Sequence, residues 1–205
     1  MAKGYAAPEV ERSFTRAREL CQLVGDTPQL GPVLWGLHRF YLMRAEHRTA
    51  QELAEQLLSL SQHTPASPLF LAAHTGLVSA LVFQGELITA RGYLLQELSL
   101  SDAQERRALA FRYGIDPRVL RHIWAAFDLW TLGYPEAALQ QSQAMLTLAQ
   151  ELAHPYSVAA ALGCAAVVQQ CRRDLPGTQA RGDPFLTLAT EQGFRCTLSC
   201  GNRPQ

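Results

Sequence analysis

The sequence predicts an all-α chain, an α-α superhelix of antiparallel helix pairs, and three observations carry that expectation. Apolar residues recur at helical spacing along nearly the whole length, and no run alternates with a period of two. Proline opens the apolar-periodic runs at Ala7-Pro8, Thr27-Pro28, Ser67-Pro68, Asp116-Pro117, Tyr134-Pro135 and His154-Pro155. Its missing N–H is harmless at a first helical position, where no partner exists for it. Finally, a pair of helices repeats over Leu30–Gln62, Leu69–Leu100 and Leu120–Leu152, its second helix opening on Ala50, Ala90 or Ala138. One such pair cannot bury its own apolar face, so neighbours must stack into a shared core.

The elements follow in order. Val10, Phe14, Ala17, Cys21 and Val24 define one face of a helix over 8–24. Leu30, Val33, Leu34, Leu37 and Tyr41 do so over 29–45, and Ala50, Leu53, Ala54, Leu57 and Leu58 over 49–62. In the latter, Thr49 and Glu52 read as a capping box, hydroxyl and carboxylate each taking one free N–H. Further helices are expected at 68–84, 87–99, 117–132, 135–152 and 155–172, with Ser67 and Asp116 as N-caps. The charged stretch Ser101 to Ile115 is the longest break.

Beyond Arg173 another helix is due, but Pro176, Gly177, Gly182 and Pro184 interrupt it. Proline costs about 3 kcal/mol and glycine about 1 inside a helix, so this helix should break or shorten. The division expected is a repeat array over 4–172, a degraded last helix over 173–194 and a disordered tail over 195–205. Both ends read as cut. Gly4-Tyr5-Ala6-Ala7-Pro8-Glu9 echoes Gly133-Tyr134-Pro135-Glu136, which joins two helices of a pair, so the chain is expected to start at a second helix. At the other end Val158, Leu162, Ala165 and Val168 would be under-covered, which favours self-association.

Function classes narrow by exclusion. The 205 residues carry 18 Lys plus Arg against 18 Asp plus Glu, which argues against a nucleic-acid binder with a dominant positive field. The pairs Arg106-Arg107 and Arg172-Arg173 read as solvated helix faces. No apolar run nears the roughly 20 residues of a membrane span, and Met1-Ala2-Lys3-Gly4 leads no signal core, so a cytoplasmic setting is expected. Cys21, Cys164 and Cys171 fall in helical patterns, and Cys196 with Cys200 lacks a second ligand pair. Phosphate-cradle, dinucleotide, zinc-protease and nucleophile-elbow motifs are missing, so no cofactor, metal or catalytic residue is assigned. His38, His47, His63, His74, His122 and His154 are scattered, and hydrogen-bonded structural roles are expected of them. Cys164 could pair with His154 or His122 as nucleophile and base, but no third group orients them, and Cys164 sits among small residues that suit close helix packing.

Aromatics gather on the first helices of the pairs: Trp35, Phe40, Tyr41, Trp124, Phe127 and Trp130. Most should be core. Trp35 and Trp130 fall off the strict apolar stripe and, with Arg39, Arg44 and Arg121, form the candidate surface for gripping a peptide. The partner expected is a protein or peptide, not nucleic acid or membrane.

With anchors 40 and 48 residues apart, against about 34 in the common unit, the chain loosely resembles a tetratricopeptide-type array. A narrower resemblance rests on Gly4-Tyr5-Ala6-Ala7-Pro8-Glu9-Val10-Glu11, Pro32-Val33-Leu34-Trp35-Gly36-Leu37 and Arg39-Phe40-Tyr41. It continues through Tyr113-Gly114-Ile115-Asp116-Pro117, Leu132-Gly133-Tyr134-Pro135, Ala149-Gln150-Glu151-Leu152-Ala153-His154-Pro155 and Ala189-Thr190-Glu191-Gln192-Gly193-Phe194. In this order the strings resemble the C-terminal repeats of large bacterial signalling ATPases. That family places a class III adenylate/guanylate cyclase, or sometimes a kinase, first, then a P-loop ATPase, then the repeats. The likeness spans roughly residues 4–194 and departs at the interrupted last helix and after Phe194. It implies a non-catalytic fragment that docks a polypeptide, the parent's ATPase or cyclase domains included. Two rival readings are a cyclase or ATP-binding enzyme by inheritance from full-length relatives, and the regulatory arm of a transcription activator.

Overall fold

Proline-led starts and αL stops cut the chain into helices whose ends the sequence largely predicts. The computed structural model describes residues 7–25, 28–62, 67–96 and 110–194, and no strand occurs among them. Its helices are α1 (Pro8–Val24), α2 (Leu30–Met43), α3 (His47–Ser61), α4 (Pro68–Gln84) and α5 (Leu87–Leu94). Residues 110–113 are helical and precede α6 (Pro117–Thr131), α7 (Pro135–Leu152), α8 (Pro155–Cys171) and α9 (Leu175–Glu191). Two compact units divide between Tyr113 and Gly114. The expected tail at 195–205 lies outside the described residues, as do His63, Arg106, Arg107, Cys196 and Cys200.

In the first unit each helix packs on the next, and α2 also packs on α4. Leu34, Leu37 and Phe40 of α2, Leu53 and Leu57 of α3, and Leu77 and Val78 of α4 are all buried, on three helices that pack on one another. Every residue of α4 from Leu71 to Leu81 is buried, which is why that helix shows no polar stripe. Two glycines permit the close approaches. A Cβ at Gly36 would run into the Phe14 ring of α1, and one at Gly76 would stand 3.1 Å from the Ala54 Cβ of α3. The Tyr41 hydroxyl donates to Glu11 at 2.9 Å, tying α1 to α2 at the rim; burial, then this carboxylate, raises the phenol's pKa.

In the second unit α6 through α9 again pack in order, with α6 also on α8. Val119, Leu120 and Ile123 of α6 share the interior with Met145, Leu146 and Ala149 of α7 and Ala165 and Val168 of α8.

The pairs share one turn. Helices α2, α4, α6 and α8 end at a left-handed residue, Ala45, Gly85, Gly133 and Arg173, with φ of 61°, 81°, 87° and 60°. After each, the next N–H reaches back to the helix: Glu46 to Tyr41 O, Glu86 to Leu81 O, Tyr134 to Leu129 O and Asp174 to Gln169 O, at 2.8–3.0 Å. Ala45, Gly85, Gly133 and Arg173 donate in turn to Leu42, Val82, Trp130 and Gln170. These are the paired bonds of a Schellman stop, which satisfy carbonyls that a helix end leaves open. Five positions beyond the left-handed residue stand Ala50, Ala90 and Ala138, all with 0 % exposure.

Four expectations need correction. The break over 173–194 does not occur: α9 runs unbroken from Leu175 to Glu191 with Pro184 inside it. Pro176 lies in the first turn, and the Gly177 N–H is taken by Asp174 Oδ1 at 3.0 Å, so neither disrupts the start. Ala180, whose carbonyl Pro184 cannot engage, is exposed to water. On the opposite side Phe185 and Ala189 pack with Ala159, Leu162, Leu188 and Phe194. Burying a phenylalanine is worth about 2–3 kcal/mol, the same size as the proline penalty. Consequently Ala165 and Val168 are buried and Val158 and Leu162 half-buried, not an open face. The Thr49–Glu52 capping box is also absent: α3 starts at His47, and its N-cap Glu46 makes no side-chain cap bond. The helix expected from 87 to 99 stops at Leu94.

Candidate functional site

The five candidates for gripping a peptide divide between the two units, Trp35, Arg39 and Arg44 in the first and Arg121 and Trp130 in the second, and two of them are buried. Trp35 and Arg39 are corrected outright, since they are only 2 % and 5 % exposed. Trp35 leaves the apolar stripe of α2 because a distant segment covers it. Its indole N–H donates to Tyr113 O at 2.9 Å, and the Tyr113 ring meets it edge-on at 5.8 Å. Arg44 is exposed at the end of α2, paired with Glu46 at 3.1 Å and set 5.5 Å from the Phe40 ring centre. Arg121 and Trp130 on α6 are half-buried, and burial lowers the Arg121 guanidinium pKa. At about 100° per residue, nine residues carry these two to opposite sides of α6. Arg44, Arg121 and Trp130 are the candidates that keep open area.

The polar chemistry lies elsewhere, in two buried knots that sequence reasoning did not assemble. The first centres on His38, fully enclosed in the first unit. Its Nδ1 lies 2.8 Å from Ala50 O on α3 and its Nε2 3.1 Å from Ser79 Oγ on α4, while Trp35 stacks on the ring at 5.5 Å. A carbonyl can only accept, so Nδ1 carries the proton and Nε2 accepts from the Ser79 hydroxyl. Burial pushes this imidazole down from 6.5 to about 4; the Ala50 bond opposes that, and the Arg39 charge adds to it.

The second knot joins the starts of α6 and α8. The buried Asp116 carboxylate accepts from Arg118 Nη2 at 2.6 Å, Arg118 Nε at 3.0 Å and the Arg118 backbone N–H at 2.8 Å. The Asp116 N–H reaches Ser157 Oγ at 3.3 Å, and Ser157 Oγ lies 3.0 Å from His154 Nδ1, which also accepts the Ser157 N–H at 3.3 Å. With Nδ1 accepting, the neutral ring of His154 keeps its proton on Nε2. Burial lowers the His154 pKa while Asp116 opposes. Serine, histidine and aspartate thus meet, but not as a nucleophile, base and orienter. Asp116 is held by Arg118 and touches Ser157 only through its backbone, and Ser157 has 0 % exposure. The knot caps two helices. Its signal in sequence was local: Asp116 and His154 each stand before a proline at an N-cap.

His122 Nδ1 contacts Gln141 Oε1 at 2.8 Å, His47 stacks on Phe83 at 5.0 Å, and His74 lies 4.3 Å from the Phe70 ring centre. Cys21 is buried, Cys164 half-buried and Cys171 exposed, and none of the three is in a disulfide. Among the described residues no three His, Cys, Asp or Glu side chains group as metal ligands. Nor is any described helix long and apolar enough to cross a membrane. The helices define an all-α protein. No protein-family model, curated protein or solved structure matches the chain.

Proposed function

We propose that this chain is a non-catalytic scaffold, a tetratricopeptide-like solenoid that holds another polypeptide in the cytoplasm. The observation that supports the reading is the recurring pair: one Schellman stop, then a fully buried alanine five positions on, in three pairs. Such units exist to be stacked, and stacked units present extended surfaces. The resemblance to the repeats of signalling ATPases makes the ATPase or cyclase domains of a parent chain the leading partner. Of the sequence candidates, Arg44, Arg121 and Trp130 supply the anchor types that interfaces favour.

Selection of a displayed random-peptide library on the full chain tests this. Because Arg121 and Trp130 lie on opposite sides of α6, an enriched peptide should bind at least tenfold more weakly to one of Arg121→Ala and Trp130→Ala, while Glu151→Ala, on the exposed side of α7, leaves binding unchanged. A tenfold loss corresponds to about 1.4 kcal/mol. Failure to enrich, or equal binding by all variants, would sink the proposal.

A further inference from the structure

We propose that His38 and Ser79 form an acid-release latch in the first unit. In the neutral state the ring fastens α2 to both α3 and α4, and a second proton reverses one of its hydrogen bonds and loosens the three helices.

The reversal is written in the geometry. Ser79 Oγ lies 3.1 Å from His38 Nε2 and 2.8 Å from Gly76 O. One hydroxyl hydrogen cannot serve both acceptors fully. While His38 is neutral, Nε2 requires that hydrogen. When Nε2 takes a proton from solvent water it becomes a donor to Ser79 Oγ, and the hydroxyl hydrogen swings to Gly76 O. Every group keeps a partner in either state, so protonation need not tear the network apart at once. What changes is charge. A cation then sits at 0 % exposure, stacked on Trp35 and beside Gly76.

Among the described residues no carboxylate bonds to the ring. On α2 the neighbouring charge is Arg39, of the same sign, and it disfavours the second proton. On α3 the ionisable Arg48, Glu52 and Glu55 are exposed while Ala50 and Ala54 are buried. On α4 the ring of His74 is engaged with Phe70 and with Tyr93 of α5, at 4.3 and 5.5 Å. Glycine at 76 brings α4 close to α3 beside the ring, since a Cβ there would stand 3.1 Å from the Ala54 Cβ and in ordinary contact with Nε2 at 3.4 Å.

The sign follows from linkage. The unfolded chain binds a proton at His38 below about pH 6.5, the folded chain only below about 4. Stability from this site is therefore complete above pH 6.5 and drains away as pH falls towards 4. That range corresponds to about a 300-fold loss in the folding constant.

Two measurements test the latch. The His38 ring resonances of the unaltered chain should titrate with a midpoint near pH 4, and in Ser79→Ala the midpoint should fall further, because the charged ring loses its acceptor. Urea unfolding followed by tryptophan fluorescence should show the acid loss in the unaltered chain, and a much smaller one in His38→Gln, which has no proton to gain. A ring midpoint between pH 6 and 7 overturns the proposal even if His38→Gln fails to fold. So does an unchanged midpoint in Ser79→Ala, or equal acid loss in His38→Gln.

Discussion

Trp35 shows how one side chain can change meaning when its neighbours are far along the chain. Its donor to Tyr113 O spans 78 residues. Trp35→Phe keeps an aromatic ring in the site but withdraws that donor from a buried carbonyl. The expected cost is about 1–3 kcal/mol, read as a lower urea midpoint with an unchanged slope. No shift in midpoint would mean the bond contributes nothing. The left-handed turn residues give a cleaner case. A Cβ at Gly85 or Gly133 would meet no atom within 4 Å, so alanine there changes backbone strain alone. Gly85→Ala and Gly133→Ala should each lose about 1 kcal/mol, and Ala45→Gly should gain up to as much. Equal midpoints for all three would show that the turns carry no strain. Local signals of this kind were legible: Ser67 and Asp116 cap as expected, accepting from Phe70 N at 3.2 Å and Arg118 N at 2.8 Å. Trp35 was not, because no local pattern announces Tyr113.

Helices whose ends rest on proline or an αL residue match expectation most closely: α1, α4 and α7 run over the residues their sequences predict. Errors arose where the deciding contact was tertiary. The run of α9 through Pro184 depends on Phe185 lying against α8, its ring where a Cβ at Gly163 would sit 3.2 Å away. Propensity counts the penalty of the proline and is blind to that ring. Removing the penalty should therefore help: Pro184→Ala is expected to stabilise the chain by about 1–3 kcal/mol. Phe185→Ala should destabilise it by about 3 kcal/mol or more and speed hydrogen exchange across α9. If Phe185→Ala leaves that exchange slow, some other contact carries the helix. The candidate site was legible only in part for a similar reason. Residue types pointed to Trp35 and Arg39 as anchors, but a residue outside its own helix's stripe can still be covered by another segment, as Tyr113 covers Trp35.

Over the whole molecule the organising fact is a division into two compact units at Tyr113 and Gly114. The last helical turn of the first unit, 110–113, buries Ala110 and Tyr113 in it, so the unit does not end with α5. A polypeptide of residues 1–113 should accordingly melt as a cooperative helical unit, while one of residues 1–96 should melt earlier and broadly. Circular dichroism with temperature distinguishes them, and matching curves would refute the closing role of Tyr113. The composition of the chain predicted helices without predicting where one body stops and the next starts, because that boundary is set by a contact between residues far apart in sequence.

The bond between Trp35 and Tyr113 also imposes an order in time. During synthesis Trp35 leaves the ribosome 78 residues ahead of its acceptor. At the ordinary pace of about 5–20 residues per second, the indole waits several seconds with no Tyr113 to cover it. Throughout that interval the nascent first unit offers a large aromatic surface to whatever binds unfinished chains. Completion arrives late and in one step, when the closing turn emerges and the indole finds its carbonyl.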